Sequence, residues 1–154
     1  MEELDLNDFC TLLRESLLPD GEEAARRQLS GIRPLALAYL GDTILDLYIR
    51  SHLVLTTQLK TNQMHKKATS LVNANAQSAM MKLIMDELSE EELKVFKAAR
   101  NQKPSSLPKN MSVVDYKWAT GMEALLGYLF VSGQDERLMQ LLNQAVTAYE
   151  KNSN

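Results

Sequence analysis

The segment from Pro34 to Arg50, PLALAYLGDTILDLYIR, is apolar around much of its circumference at helical spacing, and its only acids are Asp42 and Asp46. Leu37, Leu40, Ile44, Leu45, Leu47, Tyr48 and Ile49 recur with the period of an α-helix, about 3.6 residues. Pro34 suits the first turn, where its missing N–H costs nothing. A helix this greasy belongs at the heart of a fold, so the rest of the chain must supply elements to pack around it.

Those elements read as helices too, because no run alternates apolar and polar residues for long enough to make a strand. Phe9, Leu12, Leu13, Leu17 and Leu18 suggest a short first helix that stops at Pro19, with Asp20 and Gly21 in the turn. A second short helix through Ala24 to Leu29 follows. Thr61 to about Asp86 reads as one further helical stretch, with Ala68, Ala74, Ala76 and Ala79 allowing close packing. Ser89 with Glu92 forms a capping box that opens a helix ending near Arg100. Between Asn101 and Ser112 lie Pro104, Ser105, Ser106, Pro108 and Asn110, the composition of a loop. Val113 to Val131 and Glu136 to Tyr149 complete an all-α fold. With 154 residues the chain is large enough for one core without disulfides or structural metals. Residues 1–30 are expected as an acidic N-terminal helical extension, and residues 31–154 as the functional domain.

Charge supports that division. The whole chain carries a net charge of −3, which argues against a partner made of phosphates until the distribution is considered. Met1 to Ser30 holds 8 acids and 3 bases, whereas Gly31 to Asn154 holds 12 acids and 14 bases. Lys60, His65, Lys66 and Lys67 form one basic stretch, and Arg100, Lys103, Lys109 and Lys117 another. Both are candidate phosphate footprints, and both also fit solvated helix faces and loops. The single cysteine, Cys10, excludes an intrachain disulfide and a cysteine-based zinc site. The opening MEELDLNDFC has no secretory pattern, and no stretch approaches the roughly 18 apolar residues of a membrane span. A cytoplasmic protein is expected.

Nucleophilic triads and glycine-rich phosphate cradles have no sequence support, which leaves carboxylates. Asp42 and Glu123 each stand in apolar surroundings, in LALAYLGDTIL and ATGMEALLGYLF. Such groups are costly unless they are paired, solvated in a cleft or bound to a cation. Two acids on two buried helices could hold Mg2+, which prefers oxygen ligands and keeps waters that a substrate phosphate can displace. They could equally be satisfied by caps and ion pairs inside the bundle. Asp46 stands one turn beyond Asp42, a spacing that a surface ion pair also produces.

YLGDTILDLYIR resembles the first helical signature of the ribonuclease III family, and TGMEALLGYLF its second. LALAYLGD, MHKKATSLVNANAQ, the Arg100–Asn101 pair, SLPKN and YKWATGMEALLGYLF are together similar to the miniature form of that family, which lacks a double-stranded RNA-binding domain. These segments cover roughly Ile32 to Leu142 in the right order. The resemblance implies a ribonuclease III-like helical bundle acting as a homodimer, in which the helices bearing Asp42 meet and a site stands at each end of a valley. It implies Asp42 as the catalytic residue and Glu123 as the second acidic ligand, both on Mg2+. Cleavage of double-stranded RNA would leave a 5′-phosphate and staggered ends. The implied substrate is a large-subunit ribosomal RNA precursor, with a large-subunit ribosomal protein assisting. His65, Lys66, Lys67, Arg100, Asn101, Lys103, Lys109 and Asn110 are the candidate RNA contacts. The larger ribonuclease III enzymes carry two further carboxylates where this chain has Ala38 and Thr120. The miniature form shares that reduced set, and the loss also motivates the alternative of an inactive, RNA-binding module.

Overall fold

In the computed structural model, which describes residues 6–104 and 106–153, the described residues form helices and no strand, as the periodicity implies. The order is α1 (Leu6–Leu17), α2 (Glu22–Ser30), α3 (Pro34–Thr56), α4 (Thr61–Val72), α5 (Ala74–Ile84), a 3-10 turn (Met85–Glu87), α6 (Glu90–Arg100), α7 (Val113–Val131) and α8 (Asp135–Asn152). Helix α7 is the hub and packs against α3, α5, α6 and α8. Leu45 and Ile49 of α3, Met80 and Met81 of α5, Phe96 of α6, Met122, Leu125 and Leu129 of α7, and Leu141 of α8 lose all solvent contact in the shared core. Each such side chain contributes roughly 2 kcal/mol of burial before entropy is counted.

The helix ends follow local chemistry. Ser89 Oγ accepts from the Glu92 backbone N–H at 3.1 Å while Glu92 Oε1 accepts from the Ser89 N–H at 2.8 Å, the reciprocal box expected from the sequence. The single stretch expected from Thr61 to Asp86 is instead two helices and a turn, because Asn73 closes one helix and opens the next. Its Nδ2 donates to the carbonyls of Thr69 and Ser70, both at 3.1 Å, and its Oδ1 accepts from the Ala76 N–H at 2.9 Å. Gln77 Nε2 then donates to the Val72 carbonyl at 2.7 Å, which the break would leave without a partner.

Two guanidinium groups tie outer helices to this frame. Arg137 of α8 bonds both oxygens of the buried Glu92 at 2.9 Å and the Glu87 carbonyl at 2.7 Å, holding the Glu92 carboxyl below its ordinary value. Arg14 of α1 bonds both oxygens of Asp135, at 2.9 and 2.8 Å, and the Phe130 carbonyl at 3.1 Å. Thus α1 is anchored where α7 passes into α8. Its apolar residues Phe9, Leu12 and Leu17 nevertheless stay exposed.

Two glycines govern the packing of α3 on α7. A Cβ on Gly41 would stand 1.7 Å from the Glu123 carbonyl oxygen, and one on Gly127 would stand 2.1 Å from that of Leu37. Each helix therefore contributes one glycine to the backbone of the other, and no side chain fits at either point. Replacing Gly127 by Ala, or Gly41 by Ala, forces the helices apart. Each change is expected to cost about 3 kcal/mol in urea unfolding. Gly31→Ala is the control: its Cβ meets nothing closer than 3.5 Å, and its effect should stay within about 0.5 kcal/mol.

Candidate active site

The glycine contacts also set the chemistry of the α3–α7 seam. Gly41 abuts the backbone of Glu123, so the next residue on α3, Asp42, is brought against the residue that α7 presents there. Asp42 and Glu123 line one open cleft of about 400 Å³ with Ala38, Tyr116, Thr120 and Gln77. Leu35, Tyr39, Val72, Ala74 and Met111 contribute to its walls, so α4, α5 and the end of the 101–112 loop all reach it.

The two carboxylates occupy unlike environments. Sequence context suggests apolar surroundings for both, yet Asp42 is exposed and Glu123 is half-buried. Asp42 faces outward on α3, whereas Glu123 lies on the most enclosed helix of the molecule. Burial is the largest influence raising the Glu123 carboxyl to about 8, and the nearby charge of Asp42 and a hydrogen bond with it push in the same direction. That hydrogen bond requires a proton on one of the two groups. At neutral pH Glu123 therefore keeps its proton, and the pair carries less than its full formal charge.

A divalent cation can take the place of that proton. The donors are two carboxylates from adjacent helices, with space beside them, which suits a hard ion held by oxygen that retains part of its water shell. Among the described residues no group of three or more His, Cys, Asp or Glu comes together to hold a metal ion, so water would have to complete the shell of any ion held by these two carboxylates. The residues fit Mg2+.

Ala38 and Thr120 line the cleft, and the Thr120 hydroxyl donates to the Tyr116 carbonyl at 3.0 Å. They leave room where further carboxylates would stand. Asp46 lines no part of the cleft. It pairs with Arg50 at 3.0 Å across one turn of exposed helix surface, which is the bland alternative its spacing allowed.

None of the eight candidate RNA contacts lines the cleft. His65, Lys66 and Lys67 are exposed on α4, and Asn101, Lys103, Lys109 and Asn110 are exposed in the loop. Arg100, half-buried, stacks over Phe96 at 5.4 Å and donates to Asn101 Oδ1 at 3.3 Å. Asn110 adopts φ 67°, a left-handed conformation that asparagine tolerates better than most residues. Both basic segments belong to elements whose ends form the cleft wall, at Val72 and Met111. Sequence reasoning singled out no role for Gln77, which is buried and lines the same cleft as the carboxylates; it closes the MHKKATSLVNANAQ segment quoted above, but an uncharged side chain there gives no sign of what it does.

Comparison with known proteins identifies the family. A model of the ribonuclease III domain matches residues 35–134, a span that includes both carboxylates, the loop and the whole of α7. Mini-ribonuclease 3 of Clostridium tetani is 40% identical over 134 residues, covering 86% of this chain and 89% of that protein. Mini-ribonuclease 3 of Enterococcus faecalis is 43% identical over 122 residues, covering 78% and 90%. A crystal structure of a Fusobacterium nucleatum protein superposes with a TM-score of 0.70 at 31% identity, over 77% of this chain and 94% of that one. With sequence and fold in agreement, the chain belongs to the ribonuclease III family, alongside its Mini-ribonuclease 3 members.

Proposed function

We propose that this ribonuclease III-family protein is a Mg2+-dependent endoribonuclease that cuts double-stranded RNA as a homodimer. The observation that carries the reading is the pairing of Asp42 and Glu123 across the α3–α7 seam, in a cleft open to a polymer. Asp42, exposed at the mouth, and Glu123, set deeper, would hold the ion between them. When bound, Mg2+ supplies an activated water and stabilises charge on the phosphate being cleaved. Glu123 would meet the ion as a carboxylate, shielded by its burial from competing hydration. Thr120 and Ala38 leave the remaining volume for water and a phosphate oxygen.

Two features support RNA as the polymer and a second copy as the partner. Exposed lysines on α4 and in the 101–112 loop offer backbone contacts on elements that reach the cleft, and an A-form duplex is recognised chiefly through phosphates and 2′-hydroxyls. Tyr39, Leu47 and Val54 leave an apolar stripe on the outer face of α3, 85, 65 and 62% exposed, although Leu47 reads from the sequence as part of the core pattern. Pairing this face with a second α3 would bury the stripe and set two sites on one duplex. The family resemblance extends the proposal to a large-subunit ribosomal RNA precursor as substrate and a ribosomal protein as helper.

Three outcomes are expected. Incubated with long double-stranded RNA, the protein should shorten it with Mg2+ and not with EDTA, and Asp42→Asn or Glu123→Gln should each lower the rate by at least about 100-fold, given the several kcal/mol a metal contributes. Intact RNA with salt-sensitive binding retained would favour the inactive RNA-binding module. In an Asp42→Asn background, the double change Lys103→Ala with Lys109→Ala should weaken binding alike for duplexes of different sequence. It should also reduce the slope of log affinity against log salt by about 2.

The third concerns pH. Glu123 is raised from 4.5 to about 8 in the folded protein, so between those values the folded state holds a proton that the unfolded chain releases. This group's contribution to stability therefore falls as pH rises through that window. Urea unfolding in EDTA from about pH 5 to pH 8 should decline more steeply for the parent than for Glu123→Gln, and equal slopes would refute the raised carboxyl.

A further inference from the structure

Gln77 is an anomaly in the cleft. It stands on the second turn of α5, is 3% exposed, and lines the same space as Asp42 and Glu123. Its Nε2 donates to the Val72 carbonyl at 2.7 Å, which fixes the orientation of the amide, because a flipped group would set oxygen against oxygen. The opposite atom, Oε1, is sealed from bulk solvent and accepts no hydrogen bond from any described group. Buried acceptors in native folds are almost always satisfied, so an orphan beside a cleft marks a missing donor.

Resting on the two-carboxylate site proposed above, we infer that Gln77 is a third, neutral member of that site, whose Oε1 accepts a hydrogen bond from a water in the hydration shell of the bound cation. The chemistry of the ion asks for such a group. Mg2+ demands near-octahedral coordination and dehydrates reluctantly. Two carboxylates leave most of its positions to water, and waters polarised by a cation are strong donors that need fixed acceptors. Ala38 and Thr120 bring no carboxylate to the cleft, so it is short of acceptors on its walls, and Gln77 supplies one without adding charge. The same side chain covers the Val72 carbonyl exposed by the α4–α5 break, which couples the geometry of that break to the site. Gln77 is thus a positioning residue acting through water, distinct from the two acids that bind the ion.

Two variants separate the roles of its two ends. Gln77→Met keeps the length and removes both the donor and the acceptor. Gln77→Glu removes the amide donor to Val72 and keeps an oxygen at the acceptor position. Binding of Mn2+ in place of Mg2+ is followed without RNA on the full chain, from the electron paramagnetic resonance signal of the free ion. Thermal melting is recorded beside it, and Asp42→Asn serves as the reference. Gln77→Met should weaken Mn2+ binding by about 10-fold while Gln77→Glu retains it, although both lose the Val72 bond. Equal weakening in the two variants would mean that only the Val72 contact matters, and unchanged binding in Gln77→Met would mean that Oε1 holds no shell water. Either result overturns the inference. Should Asp42→Asn leave Mn2+ binding intact, the carboxylate site itself fails, and the role of Gln77 falls with it.

Discussion

The backbone contact between α3 and α7 is the constraint on which the rest of the molecule depends. Helices in a soluble bundle ordinarily stand 8–10 Å apart because side chains intervene. Here Gly41 admits the Glu123 carbonyl and Gly127 admits the Leu37 carbonyl, so the two helices meet main chain to main chain at points on both sides. Two such contacts determine the register as well as the separation. A shift of one residue along either helix would drive a Cβ into a carbonyl oxygen. The register that results places Asp42 beside Glu123, and Leu45 and Ile49 of α3 join Met122, Leu125 and Leu129 of α7 in one buried cluster.

Rigidity at this seam has an electrostatic consequence. Two acids held together on a mobile surface would separate and hydrate. On helices locked by glycine they cannot, and burial of Glu123, with the charge of Asp42 beside it, raises the Glu123 carboxyl. Stability is given up locally, as is common where a site is preorganised, and the surrounding helices make it good: α7 is enclosed by α3, α5, α6 and α8, and the Arg137–Glu92 bridge fastens α8 to α6. The contrast with Asp46 is instructive. It sits one turn from Asp42 on the same helix, yet it is a solvated partner of Arg50, because α7 does not approach α3 at that position with an acid of its own.

Net acidity and an RNA-directed reading are reconciled by where the charges lie. The surplus of acids belongs to residues 1–30, whereas the exposed lysines of α4 and of the 101–112 loop belong to segments whose ends form the cleft wall. Arg14 anchors α1 at the junction of α7 and α8 through Asp135.

Much of the architecture was legible in the residues themselves. Helical periodicity, Pro34 at a helix start, the Ser89–Glu92 box and the proline-rich loop are all local signals, and local hydrogen bonding and sterics decide them. The resemblance carried by LGD and MEALLG pointed to Asp42 and Glu123. Local pattern was misleading at Asn73, since alanine-rich sequence on both sides continues the helical period and only the bonds made by the asparagine side chain break it. Burial was the other quantity that sequence could not supply. Asp42 and Glu123 have similarly apolar neighbours, but one faces solvent and the other the interior, and Leu47 shares the spacing of core residues while standing exposed. The proximity of the acids, the raised Glu123 carboxyl and the unpartnered oxygen of Gln77 depend on groups far apart in the chain. Sequence determined which helices form and which residues they carry; only tertiary packing decided which faces meet, because burial and charge coupling arise from distances between helices that no local pattern encodes.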